Sequence, residues 1–124
     1  MRYRFDQTRP IYLQVAEMIR DAILSADLPE GEAIPSVRRI SVEQELNPQT
    51  VLNATRLLMD EDLLEKRRGV GIFVQAGARQ VLIDREKEAF RTVELPALVS
   101  RARLLGLSAR ETTDMVKKTF EERS

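Results

Sequence analysis

The chain has 124 residues, 43% apolar and 32% charged, with 20 Lys or Arg balancing 20 Asp or Glu, which is about one domain's worth of chain with a small appendage. It contains neither cysteine nor histidine, which excludes a disulfide framework, thiol or imidazole catalysis and an ordinary zinc site, so no cofactor and no resident metal are expected. Only Asp and Glu remain as acid–base groups and no paired set stands out, so an enzyme is not expected either. No stretch approaches the roughly 18 uncharged apolar residues of a membrane span, and the first residues lack the apolar core of a signal peptide. The expectation is a soluble, cytoplasmic protein with no membrane partner.

A first helix is signalled by Pro10 at a starting position and by Ile11, Val15, Met18, Ile19, Ala22 and Ile23, whose spacing forms one apolar stripe. Pro29 and Gly31 then force a turn. Ser36 has the chemistry of an N-cap for a second helix anchored by Ile34, Val37 and Ile40, and its hydroxyl is a secondary candidate for a phosphate. Arg38 and Arg39 fall in that helix's first turn.

Asn47-Pro48 opens a third helix: the asparagine oxygen can accept from an orphan amide, and proline at the first position loses no needed hydrogen bond. Val51, Ala54, Leu57 and Leu58 form its buried stripe, while Gln49, Asn53, Arg56 and Asp60 recur on another face. Such a polar face suits the major groove, where Gln and Asn pair bidentately with adenine and Arg with guanine. Thr50 adds a hydroxyl where the helix's positive end favours a phosphate.

Two short alternating segments follow, Leu64 to Arg67 and Gly71 to Val74, joined through Arg68-Gly69-Val70. They read as a basic hairpin whose glycines permit a tight tip. Gln75-Ala76-Gly77-Ala78 reads as a short linker that closes a first module, residues 1–75. In the remainder, 76–124, helical periodicity returns from about Val81, Pro96 is expected to kink a long helix ending at Gly106, and Ser108 and Glu111 have the spacing of a capping box for a last helix. The apolar positions of these two helices include Phe90, Val93, Leu98, Ala102, Leu105, Met115, Val116 and Phe120. Two helices cannot bury these faces alone: either they pack back on the head or they meet a second copy of themselves, and a closed two-fold homodimer, the commonest solution, is expected. The fold class is thus mainly α with a small β-hairpin wing: a winged helix-turn-helix followed by a two-helix dimerisation tail.

Net charge argues weakly against a nucleic-acid partner, since basic and acidic residues cancel over the chain and the first module holds ten basic and twelve acidic residues. Placement within a Debye length, about 8 to 10 Å, matters more than the sum. Motif order is more specific. Pro10-Ile11-Tyr12-Leu13-Gln14, Leu28-Pro29-Glu30-Gly31, Ile34-Pro35-Ser36-Val37-Arg38, Asn47-Pro48-Gln49-Thr50-Val51 and Arg67-Arg68-Gly69-Val70-Gly71 occur in one ordered set, and Leu104-Leu105-Gly106-Leu107-Ser108 follows in the tail. In these the chain resembles GntR-family transcriptional regulators, and its brief tail is similar to the YtrA subfamily.

The resemblance implies that Arg38 contacts an operator from the second helix. It also implies that Asn47, Gln49 and Thr50 approach bases and phosphates, and that Arg68 and Gly69 enter the minor groove. With Ser36, Arg39, Asn53 and Arg56 these make up the candidate DNA-binding set. The expected partners are a palindromic double-stranded operator and a second copy of the chain. By resemblance the expected action is repression of its own operon, commonly one for an ABC transporter. The tail is too short for a large ligand-binding domain, so any small-molecule effector must use a cleft in the dimer. Where relatives usually have Leu-Gly in the turn between the helices, this chain has Gln44-Glu45. A left-handed residue other than glycine there costs on the order of 1 kcal/mol. The alternative reading is a winged-helix module that grips a protein partner; steep loss of binding with salt marks DNA, and its absence marks apolar protein association.

Overall fold

In a computed structural model, which describes residues 3–123, the first helix α1 (Ile11–Leu24) follows Pro10 directly and buries Val15, Ala16, Ile19 and Ile23. A turn carried by Gly31 leads to α2 (Val37–Gln44), and a short turn leads on to α3 (Pro48–Asp60). Both starts are capped as their sequences dictate. Ser36 Oγ accepts from the Arg39 amide at 3.1 Å and Asn47 Oδ1 from the Gln49 amide at 2.8 Å, each satisfying a donor that has no partner inside its helix.

Strands β1 (Leu64–Arg67) and β2 (Gly71–Val74) pair antiparallel, with Leu64 opposite Val74 and Arg67 opposite Gly71. The segment before α2 extends this sheet: Ala33 bridges Phe73, and the Ile34 amide donates to the Ile72 carbonyl at 2.8 Å. One core joins the helices and the hairpin, with Val51, Ala54, Leu58, Leu63, Leu64 and Val74 packed against the stripe of α1. Two ties hold helix ends in place. Arg20 of α1 makes a bidentate pair with Glu61 at the end of α3, at 3.1 and 2.6 Å, and Arg79 donates to the Leu24 carbonyl at the end of α1 at 2.8 Å.

The helix α4 (Ala78–Ala89) starts directly after the wing, and its Ala78 and Leu82 belong to the same core. Packing therefore carries the first compact unit on to Asp84, beyond the linker at residues 75–78, and the second unit runs from Arg85. Leu82 in the head is unexpected from the sequence alone. An isolated leucine in a weakly amphipathic stretch carries no mark of which core it joins.

In the second unit the expected kink at Pro96 takes the form of a π-helical turn, Phe90–Glu94, after which α5 (Leu95–Leu104) continues. The Leu95 amide there reaches back to the Phe90 carbonyl, a wider turn suited to a proline that neither donates nor tolerates a carbonyl four residues back. Gly106, with φ +75°, ends α5, and α6 (Ala109–Arg123) begins with a reciprocal capping box: the Glu111 amide donates to Ser108 Oγ at 3.0 Å and the Ser108 amide to Glu111 Oε1 at 3.1 Å.

The turn between α2 and α3 places Glu45 at φ +56°, ψ +50°. This is the left-handed well that a Cβ disfavours. Glu45→Gly is therefore expected to raise stability by about 1 kcal/mol, offset in part by the extra freedom glycine gives the unfolded chain. Chemical denaturation of the two proteins measures it; a loss of stability shows that contacts of the Glu45 side chain outweigh the backbone strain.

Candidate nucleic-acid interface

Helix α3 has two faces of opposite character because its apolar and polar residues keep separate helical registers. Val51, Ala54, Thr55 and Leu58 are buried, and the Thr55 hydroxyl is satisfied by the Leu52 carbonyl at 2.8 Å. Gln49, Asn53, Arg56 and Asp60 are all exposed. Gln49 Nε2 donates to Asn53 Oδ1 at 3.0 Å, so the two amides form a linked pair across one helical turn. Arg56, one turn further on, has no hydrogen bond or ion pair from its side chain among the described residues. Asn47, which caps the helix, and Thr50, which is half-buried, stand at its N-terminal end, where unpaired amides and the helix dipole favour an anion.

The other candidates differ in how far they are already engaged. Arg38 is exposed at the start of α2 with its guanidinium unpaired among the described residues. Its neighbour Arg39 instead donates to Glu43 Oε1 at 2.7 Å, one turn along α2. The i, i+4 spacing of Arg39 and Glu43 is a signal available in sequence. Ser36 has its hydroxyl committed to the cap. At the wing tip Gly69 has φ +75° and Arg68 is exposed and unpaired among the described residues. Arg67 is occupied within the hairpin: its guanidinium lies 3.9 Å from the Phe73 ring centre and pairs with Glu65 at 2.9 Å. That stack and pair stiffen the wing beneath its tip and leave Arg68 at the tip, with exposed Lys66 in β1, as its unpaired cations among the described residues.

Two features of this unit lie outside the sequence reading. Gln14 is buried and spends its whole amide on the segment before α1: Oε1 accepts from the Asp6 amide at 2.8 Å, and Nε2 donates to the Asp6 and Arg9 carbonyls at 2.8 and 3.0 Å. A glutamine inside the apolar stripe of α1 was the available signal. Asp6 in turn accepts from the Thr8 hydroxyl and amide, which hold its carboxyl below the usual carboxylate range.

In the second unit Leu98, Ala102, Leu105, Met115, Val116 and Phe120 converge on one open groove of about 860 Å³ between α5 and α6. Ala102 is buried at its floor, whereas Met115 and Phe120 remain 55% and 73% exposed. Thr112 and Thr119 also line the groove, but their hydroxyls bond back to the Ser108 and Met115 carbonyls, leaving methyl surface. Phe90 and Val93 are exposed on the π-helical turn and do not line this groove.

Comparison with known proteins gives the same picture. The model of the gntR family of bacterial regulatory proteins matches residues 11–74, from the first residue of α1 to the last of β2. The chain is 30% identical over 119 residues to the HTH-type transcriptional regulator YhcF of Bacillus subtilis, covering 96% of each chain. It is 26% identical over 109 residues to the HTH-type transcriptional repressor YtrA of the same organism, covering 88% of this chain and 83% of that one. A solved structure of a GntR-family regulator from Bacteroides thetaiotaomicron superposes with a TM-score of 0.75 at 32% identity, over 92% of this chain and 99% of the other. Motif order, winged helix-turn-helix geometry and full-length likeness agree, and the chain belongs to the GntR family of transcriptional regulators, with a DNA-binding helix-turn-helix domain and not an enzymatic one.

Proposed function

We propose that this regulator is a cytoplasmic homodimer that represses transcription by binding a palindromic operator, one α3 per half-site. The segment 1–75 supplies DNA binding and 76–124 supplies association between copies through α5 and α6, while Ala78 and Leu82 at the start of that segment pack in the core of the first unit. The observation that carries the reading is the pairing of an exposed polar face on α3 with a tail in which, among the described residues, Met115 and Phe120 remain more than half exposed beside an open apolar groove. Repression is supported by the name of the similar YtrA protein, and a cytoplasmic site by the absence, among the described residues, of any helix long and apolar enough to cross a membrane. Gln49, Asn53 and Arg56 read base edges, Asn47 and Thr50 sit against the backbone at the helix start, and Arg38 and Arg68 flank them. Ser36 and Arg39 contribute less, because each is already engaged within α2. A small-molecule effector, if the protein has one, uses a cleft at the dimer interface.

The test starts by selecting duplexes from a random library with the purified protein and measuring affinity at several salt concentrations. A palindromic consensus and a steep fall of affinity with salt support the reading. Salt-insensitive binding to a protein, with no selected sequence, overturns it. Within the same assay Arg38→Ala is expected to weaken the selected duplex by about 1 to 3 kcal/mol while weakening random duplex less, if Arg38 reads a base. Equal losses on both make it a backbone contact only.

A further inference from the structure

The segment before α1 is held against the helix-turn-helix in a way that the reading above does not use. Its backbone is clamped at Asp6 by the buried Gln14 amide, which both accepts from and donates to the same residue as a neighbouring strand does. Further out, the Tyr3 amide donates to Gln44 Oε1 at 2.9 Å. Gln44 is the last residue of α2, three positions before the Asn47 cap of the recognition helix. Between these fixed points the side chains alternate as an extended strand requires. Tyr3 and Phe5 are half-buried with ring centres 5.0 Å apart, Phe5 packs on the core, and Arg4 between them is exposed.

We propose that the segment Tyr3–Arg9 is a built-in arm that presents Arg4 to the DNA backbone beside the N-terminal end of α3. In helix-turn-helix docking that end of the recognition helix enters the groove, so the turn joining α2 to it lies near the flanking phosphates. The Tyr3–Gln44 hydrogen bond fixes the arm to this turn. The Arg4 side chain has no hydrogen bond or ion pair among the described residues, which leaves its charge available. Gln14 acts as the positioning residue: it touches no DNA and sets where the arm runs.

The proposal rests on DNA binding by this unit and adds a residue to it. Affinity is measured by fluorescence anisotropy on a duplex selected by the wild-type protein and on random duplex, across salt concentrations. Arg4→Ala is expected to weaken both duplexes by about tenfold at low salt and to reduce the slope of log affinity against log salt by about one, with Arg4→Lys restoring most of both. Gln14→Leu, verified as folded by thermal melting, is expected to give a similar loss, and Arg4→Ala is expected to cost little more in that background. Unchanged affinity and slope for Arg4→Ala overturn the proposal, and so does a full additional loss on top of Gln14→Leu. Absence of binding by the wild-type protein overturns the DNA reading itself, whereas binding that depends on Arg38 but not on Arg4 overturns the arm alone.

Discussion

Replacing both Met115 and Phe120 with glutamate is expected to leave the protein monomeric and to lower its affinity for a two-half-site operator by roughly a hundredfold to ten-thousandfold. The size follows from linkage: when two recognition helices are joined, the second half-site is bound at an effective concentration set by the tether, and that advantage vanishes when the copies part. These two residues suit the test because each is more than half exposed within its own chain, so the single-chain fold loses little. Glutamate is a good helix former and α6 can carry it at both positions. In an apolar interface, however, an unpaired carboxylate costs several kcal/mol, while each methionine or phenylalanine that is fully covered contributes about 1.5 to 3 kcal/mol. Light scattering reports the mass, and titration of full and half operators reports the coupling. A variant that stays dimeric shows that the groove is not the interface, and a monomer that binds the full operator as tightly as the parent removes the two-fold reading of recognition.

The parts of the molecule that could be read from sequence are those whose chemistry is local. Ser36 and Asn47 announce helix starts because a capping oxygen acts within three residues, and Ser108 with Glu111 does the same in the tail. The wing's strand limits follow from alternation bounded by glycine, and the polar face of α3 follows from helical period. What escaped depends on side-chain contacts made across a turn or between elements, which no helical or strand period announces. That Gln14 serves Asp6 and Arg9, that Arg67 lies over Phe73, and that Leu82 joins the head could not be inferred from neighbours in sequence. The π-helical turn before Pro96 is intermediate: proline predicts a disruption, but how the backbone absorbs it depends on which hydrogen bonds can be remade. The left-handed Glu45 is suggested only by the resemblance to relatives with Leu-Gly at this turn, because a glutamate carries no local mark of that conformation.

A last pair of substitutions separates the two faces of α3. Leu58 is fully buried among the side chains that join α1, α3 and the wing, and Leu58→Ala is expected to cost about 2 to 5 kcal/mol of unfolding free energy, the transfer loss of the removed atoms plus the cavity left behind. That is a large share of what a small domain has, since such domains hold only about 5 to 15 kcal/mol in total. Arg56, two positions earlier, is exposed with no intramolecular partner among the described residues, so Arg56→Ala is expected to change stability by no more than about 0.5 kcal/mol. Their effects on recognition run the other way. At a temperature where both variants are fully folded, Leu58→Ala is expected to bind selected duplex nearly as the parent does, because the reading face is intact, whereas Arg56→Ala loses about 1 to 3 kcal/mol if it pairs with guanine. Denaturant melts and binding isotherms on the same preparations decide it. Equal destabilisation by the two substitutions, or a binding loss confined to Leu58→Ala, means that the outward side of α3 is not what meets the duplex.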